Sequence, residues 1–139
     1  MSEVVRQQVF PSRRDELPRI AEFVRAFVLA AGGSVDHARR LELAVDEAVT
    51  NIIEYAYESI EEEIHIRAEI QDNELCITLE DRGVPFDPTQ AGPPLSMNQE
   101  NPHQHLGLGI PIIRHFADTL SYRRTASGWN SLRICRMIS

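Results

Sequence analysis

The chain has 139 residues, 42% hydrophobic and 25% charged, with a formal net charge of −7 at pH 7. That length suits one domain with a real core, and the composition is that of a globular protein rather than a disordered one. The acidic balance argues against nonspecific attraction to nucleic acid or to anionic membrane. The N-terminal MSEVVRQQVF carries no hydrophobic leader core, and no run approaches ~18 consecutive apolar residues, so a cytoplasmic protein is expected.

In chain order, Val4 to Phe10 is β-prone and ends at Pro11-Ser12. Asp15 to Ala31 places Leu17, Ile20, Val24, Phe27 and Val28 at helical spacing, with Pro18 tolerated in the first turn and Gly32-Gly33 as the stop. A second helix, capped by Ser34 or Asp36, runs to about Tyr57. From Glu63 the period changes to two. Ile64, Ile66, Ala68 and Ile70, then Leu75, Ile77 and Leu79, predict a hairpin with one apolar face turning at Asp72-Asn73.

Residues 83–105 have no periodicity and are punctuated by glycine and proline, which in a compact domain marks a functional loop or a disordered one. Gly107 to about Asp118 predicts a helix, and Leu120 to Arg124 with Trp129 to Ile138 predict a closing hairpin around Ser127-Gly128. This order implies an α+β fold in two layers, a mostly antiparallel sheet covered on one face by helices, in a single domain spanning 1–139. The two cysteines, Cys76 and Cys135, lie far apart in apolar runs and are expected to be buried, reduced thiols rather than a disulfide or metal site.

Three features carry chemistry. On the second helix, Glu47, Thr50, Asn51 and Glu54 form a polar stripe, with Glu47 and Asn51 one turn apart on one face. Alone, such a stripe is the wet side of a helix. An amide oxygen beside a carboxylate nevertheless suits Mg²⁺ ligation next to a general base. On the second hairpin strand, the period of Leu75, Ile77 and Leu79 turns Asp81 toward the core, where a carboxylate needs donors. Gly83 and Phe86-Asp87-Pro88 follow. Finally, Gly107 and Gly109 in LGLGI open a helix whose first N–H groups suit phosphate. There is no full GxGxxG after a strand and no Walker GxxxxGK[ST].

Taken together, E-A-V-T-N (Glu47 to Asn51), D-R-G-V-P-F-D-P (Asp81 to Pro88), G-L-G-I (Gly107 to Ile110) and Gly128-Trp129-Asn130 resemble, in that order, the GHKL ATPases of gyrase, heat-shock chaperone, histidine kinase and MutL type. The phrasing is most similar to that of the small bacterial anti-sigma-factor serine/threonine kinases, and it covers nearly the whole chain. The resemblance implies the Bergerat fold, with ATP and Mg²⁺ as cofactors. It implies that Asp81 accepts a hydrogen bond from the adenine amino group while Gly83 lines the base pocket. Asn51 would ligate Mg²⁺, and Glu47 would be the general base. Gly107 and Gly109 would offer N–H groups to phosphate. Phe86, His105, Leu108 and Ile110 would complete the ATP site, and residues 89–105 would be the lid. A sigma factor and an anti-sigma-factor antagonist are the implied partners, with a homodimer as the implied assembly and no nucleic-acid or membrane contact.

Two departures stand out. Gln104-His105-Leu106 replaces a segment in which many relatives have another glycine or a basic residue, and no Lys or Arg lies between Arg82 and Arg114. Tyr55 stands where histidine is common. Positive charge at a terminal phosphate would then come from His103, His105, Arg114 or a partner. The rival expectation is a nucleotide-gated protein-binding switch of the same fold that transfers no phosphate. A sensor kinase or a gyrase-like machine would need further domains. No metal role is expected for His65, His103, His105 or His115, and Trp129 is expected to pack rather than to stack on a base.

Overall fold

The computed structural model describes residues 4–56, 62–85, 87 and 113–138. In order these are β1 (Val4–Pro11), a 3₁₀ turn (Arg14–Glu16), α1 (Leu17–Ala30), α2 (Val35–Asn51) continuing into a π-helical turn (Ile52–Ala56), β2 (Glu63–Gln71), β3 (Glu74–Asp81), a helical turn at 113–116, β4 (Thr119–Arg124) and β5 (Asn130–Met137). The five strands form one sheet in the order β1-β2-β3-β5-β4, and every pairing is antiparallel. The expected α+β two-layer fold is what forms, and β5 is inserted between β3 and β4.

Local chemistry explains the joints. The β2–β3 turn places Asp72 and Asn73 at φ 52° and 68°, the left-handed pair that a tight hairpin requires and that Asn and Asp tolerate. Gly32, at φ +98°, ends α1, because there a Cβ would strain the backbone. The Ser34 hydroxyl accepts the His37 N–H at 3.1 Å and caps α2.

One face of the sheet meets the helices. Ile64, Ile66, Ala68, Leu75, Ile77, Leu79, Leu132 and Ile134 are buried against Ile20, Val24, Phe27 and Val28 of α1 and Leu41, Val45 and Ala48 of α2. The opposite face is polar. Arg133 there pairs with Glu69 at 2.9 Å, and the Ser131 hydroxyl donates to Glu80 at 3.0 Å. Trp129 packs as expected, meeting the His65 ring edge-on at 4.9 Å with the Arg82 guanidinium 5.2 Å from its own ring. No helix among the described residues is long and apolar enough to cross a membrane.

One expectation is overturned. Cys76 and Cys135 are buried, but they are not separate thiols: they face each other across β3 and β5 and form a disulfide. They stand 59 positions apart in sequence, and the pairing of β3 with β5 brings their Cα atoms to 4.1 Å.

Candidate nucleotide site

The C-terminal end of α2 lies over the ends of β3 and β5, and a small pocket opens there between Ala48, Asn51 and Ile52 of the helix and Leu79, Asp81 and Asn130 of the sheet. The α2 stripe is largely withdrawn from solvent: Thr50 and Asn51 are buried and Glu47 is half-buried. Further along, Glu54 is partly buried, with its side chain only 5% exposed, and paired with Arg14 of the 3₁₀ turn. The apolar side of α2 sets this orientation, since Leu41, Val45, Ala48 and Ile52 all pack inward. Beside Glu47, burial holds the Asp46 carboxyl above its ordinary value.

Asp81 ends β3 at 2% exposure, on the core side that its parity required. Its Oδ1 accepts the Gly83 N–H at 2.8 Å and the Asn130 Nδ2 at 3.0 Å. The first of these closes a turn in which Gly83 is itself buried. The carboxylate is therefore held in place, and its cost of burial is offset by charge-assisted hydrogen bonds.

Asn130 is the hub of this cluster and sits opposite Asp81 in the β3–β5 register. Its Nδ2 also donates to the Val84 carbonyl at 3.0 Å, while its Oδ1 accepts from the Tyr122 hydroxyl and from Arg124 Nη1, the latter at 3.2 Å. Arg124 Nη1 lies 2.7 Å from the Gly83 carbonyl as well. The closing hairpin thus reaches across to fix both Asp81 and the turn after it. The sequence motif that contains Asn130 assigns it no role, and Tyr122 and Arg124 stand in none of the motifs. The usable signal for Asn130 is parity, because Leu132 and Ile134 face the core and Asn130 continues their phase.

Asn51 is 3% exposed, and among the described residues its Nδ2 has no hydrogen-bond partner. A buried amide left in this state costs about 1–3 kcal/mol, which marks a position built to meet something else. The amide can present either its nitrogen or its oxygen by a half-turn. With the carboxylate of Glu47 one turn away, this oxygen-donor set fits a hard cation such as Mg²⁺.

Of the anticipated site residues, the structure therefore brings Asn51, Asp81 and Gly83 to one end of the sheet, with Glu47 on the preceding turn of α2. Phe86, His105, Gly107, Leu108, Gly109 and Ile110, and the lid at about 89–105, lie outside the described residues.

Helix over antiparallel sheet, a buried carboxylate at a strand end and an acid–amide helix above it define a histidine kinase-like ATPase domain. The family of that description matches residues 10–136, and the chain belongs to it. More particularly, its relatives include a serine/threonine-protein kinase and anti-sigma F factors. It is 36% identical over 96 residues to the serine/threonine-protein kinase BtrW of Bordetella bronchiseptica, covering 68% of this chain and 66% of that one. It is 34% identical over 117 residues to an anti-sigma F factor of Pasteuria penetrans, covering 82% of this chain and 76% of the relative. The chain thus spans just under two thirds of the first of these proteins. Among solved structures, the RsbU and RsbW domains of Rv1364c from Mycobacterium tuberculosis share the fold, with a TM-score of 0.69 at 12% identity. That match covers 97% of this chain and 32% of the other. Membership in an ATPase family implies that the chain binds ATP.

Proposed function

We propose that this chain is an ATP- and Mg²⁺-dependent serine/threonine protein kinase of the anti-sigma type, a single ATPase domain over 1–139 with its lid at about 89–105. It holds a sigma factor and phosphorylates a Ser or Thr of an antagonist protein that competes for that factor. It works in the cytoplasm as a homodimer and contacts neither nucleic acid nor membrane. The observation that supports this best is the Asp81 carboxylate, buried yet oriented by the Gly83 N–H and the Asn130 amide beneath α2.

Asp81 accepts the adenine amino proton, Gly83 lets the backbone approach the base, and Asn51 and Glu47 face the phosphate end. Asn51 holds Mg²⁺, which supplies charge neutralisation on the phosphates. Glu47 takes the proton of the attacking hydroxyl as the terminal phosphoryl group passes to that oxygen and ADP departs. Gly107 and Gly109 present N–H groups to the phosphates. Phe86, His105, Leu108 and Ile110 line the remainder of the site.

The test is nucleotide titration of the full chain with Mg²⁺. Asp81→Asn presents an amide N–H₂ to the adenine amino group, so binding should fall below detection with the fold intact; retained affinity would sink the base-pocket assignment. Glu47→Gln should bind ATP nearly normally yet lose transfer of labelled phosphate to the antagonist by at least ~100-fold.

A second reading is favoured by one feature, the absence of Lys or Arg between Arg82 and Arg114. On that reading the domain is a nucleotide-gated switch that holds its partner and transfers nothing. Wild-type chain that binds ATP and partner but never labels the antagonist would establish the switch.

A further inference from the structure

Cys76 and Cys135 are the chain's two cysteines, and they lie on the sheet face turned away from the helices. Leu75, Ile77 and Leu79 point into the core, so Cys76 shares the outer face with Glu74 and Thr78, just as Cys135 shares it with Arg133 and Met137. Here Glu74 adds what a bare disulfide lacks. Its carboxylate oxygen and the two sulfurs all lie within 4.8 Å of one another. Glu74 and Cys76 border an open cleft of about 310 Å³ whose other walls are Glu69, Gln71, Asp72, Arg133 and Met137. Three carboxylates there face a single guanidinium, and Arg133 is already engaged by Glu69 at 2.9 Å. The cleft is therefore both sulfur-bearing and acidic.

We infer that Glu74, Cys76 and Cys135 form a redox-gated site for a thiophilic divalent cation of the Zn²⁺ class, separate from the nucleotide pocket. Oxidised, the two sulfurs bond to each other and offer no thiolate. A dithiol reductant opens the bridge by exchange: its two S–H groups become a disulfide, and the protein gains two thiols. Zn²⁺ then displaces both thiol protons and binds two thiolates and the Glu74 carboxylate, leaving a fourth position to water. Tetrahedral coordination at about 2.3 Å per Zn–S bond sets the sulfurs roughly 3.8 Å apart. Side-chain rotation supplies that separation, because the β3–β5 ladder already fixes the two backbones side by side. Softness selects the ion: thiolates favour Zn²⁺ over Mg²⁺, so the cation serving ATP does not compete.

The test uses the full chain, reduced with a phosphine or left as the disulfide, titrated with Zn²⁺ against a chromophoric chelator. Reduced protein should bind one Zn²⁺ per chain with a micromolar or tighter Kd and release about two protons per ion. The oxidised protein should bind at least about 100-fold more weakly. Cys76→Ser should lose affinity to the same degree. Glu74→Gln, at an exposed position, should keep the fold and weaken binding about 10-fold or more. Co²⁺ added to the reduced wild type should give a thiolate charge-transfer band, a readout that does not depend on any variant folding. Equal Zn²⁺ affinity in oxidised, reduced and Cys76→Ser protein, or no charge-transfer band with Co²⁺, would overturn the assignment.

Discussion

Asn130 shows what one side chain can decide in a pocket built around a carboxylate. An ionised carboxyl has two oxygens, and the Watson–Crick edge of guanine offers two adjacent donors to match them, whereas adenine offers only its amino group. In this structure Oδ1 of Asp81 already accepts from the Gly83 N–H and Asn130 Nδ2, which fills its two lone pairs. A base meeting Asp81 therefore finds at most one oxygen, which suits adenine and rejects guanine. Asn130→Ala should return a lone pair to Oδ1 and narrow the preference for ADP over GDP by roughly 10-fold, the equivalent of one hydrogen bond. Calorimetric titration of both nucleotides into the variant measures this. A parallel loss for the two would show that Asn130 only braces the Tyr122 hydroxyl and the Arg124 guanidinium.

At the level of elements, the joint between α1 and α2 is set by close approach. A Cβ on Gly33 would lie 2.6 Å from Val28 Cγ1 and 3.1 Å from the Val28 carbonyl oxygen, with Ile138 Cδ1 at 3.6 Å. Val28 is fully buried and has nowhere to retreat. Gly33→Ala should therefore destabilise the fold by about 1–3 kcal/mol, read as a lower urea midpoint with an unchanged slope. The same region shows why the elements were legible. The 3.6-residue period of Ile20, Val24 and Phe27, the period of two through Ile64 to Leu79, and the punctuation at Gly32-Gly33 and Asp72-Asn73 are local signals, and each element follows from its own residues. Glu47 and Asn51 on one helix face, and the inward turn of Asp81, were legible for the same reason. Asn130 was not. Its meaning depends on lying opposite Asp81, and nothing local says that β5 rather than β4 pairs with β3.

The disulfide makes the same point for the whole molecule. Cys76 and Cys135 each read as an ordinary buried thiol in a strand, and only the non-local β3–β5 pairing sets them face to face. That bond closes a loop between positions 59 apart, running from near the start of β3, past Asp81, through the segment holding the expected lid, and back along β4 and β5. It lies in the same ladder whose other end is the Asp81–Asn130 pair. In the folded chain the ladder already holds the two strands together, so the bond adds little there. Its main effect falls on the unfolded ensemble, where closing a loop of that length removes conformational entropy worth about 4 kcal/mol at 25 °C on the chain-entropy account. Oxidised protein should therefore unfold at a distinctly higher urea concentration than protein reduced with a phosphine and kept free of divalent cations. Cys76→Ser should behave as the reduced wild type does and ignore the reductant. Coincident midpoints for oxidised and reduced wild type would mean that the β3–β5 pairing persists in the unfolded chain, or that the bond strains the sheet by as much as it constrains the loop.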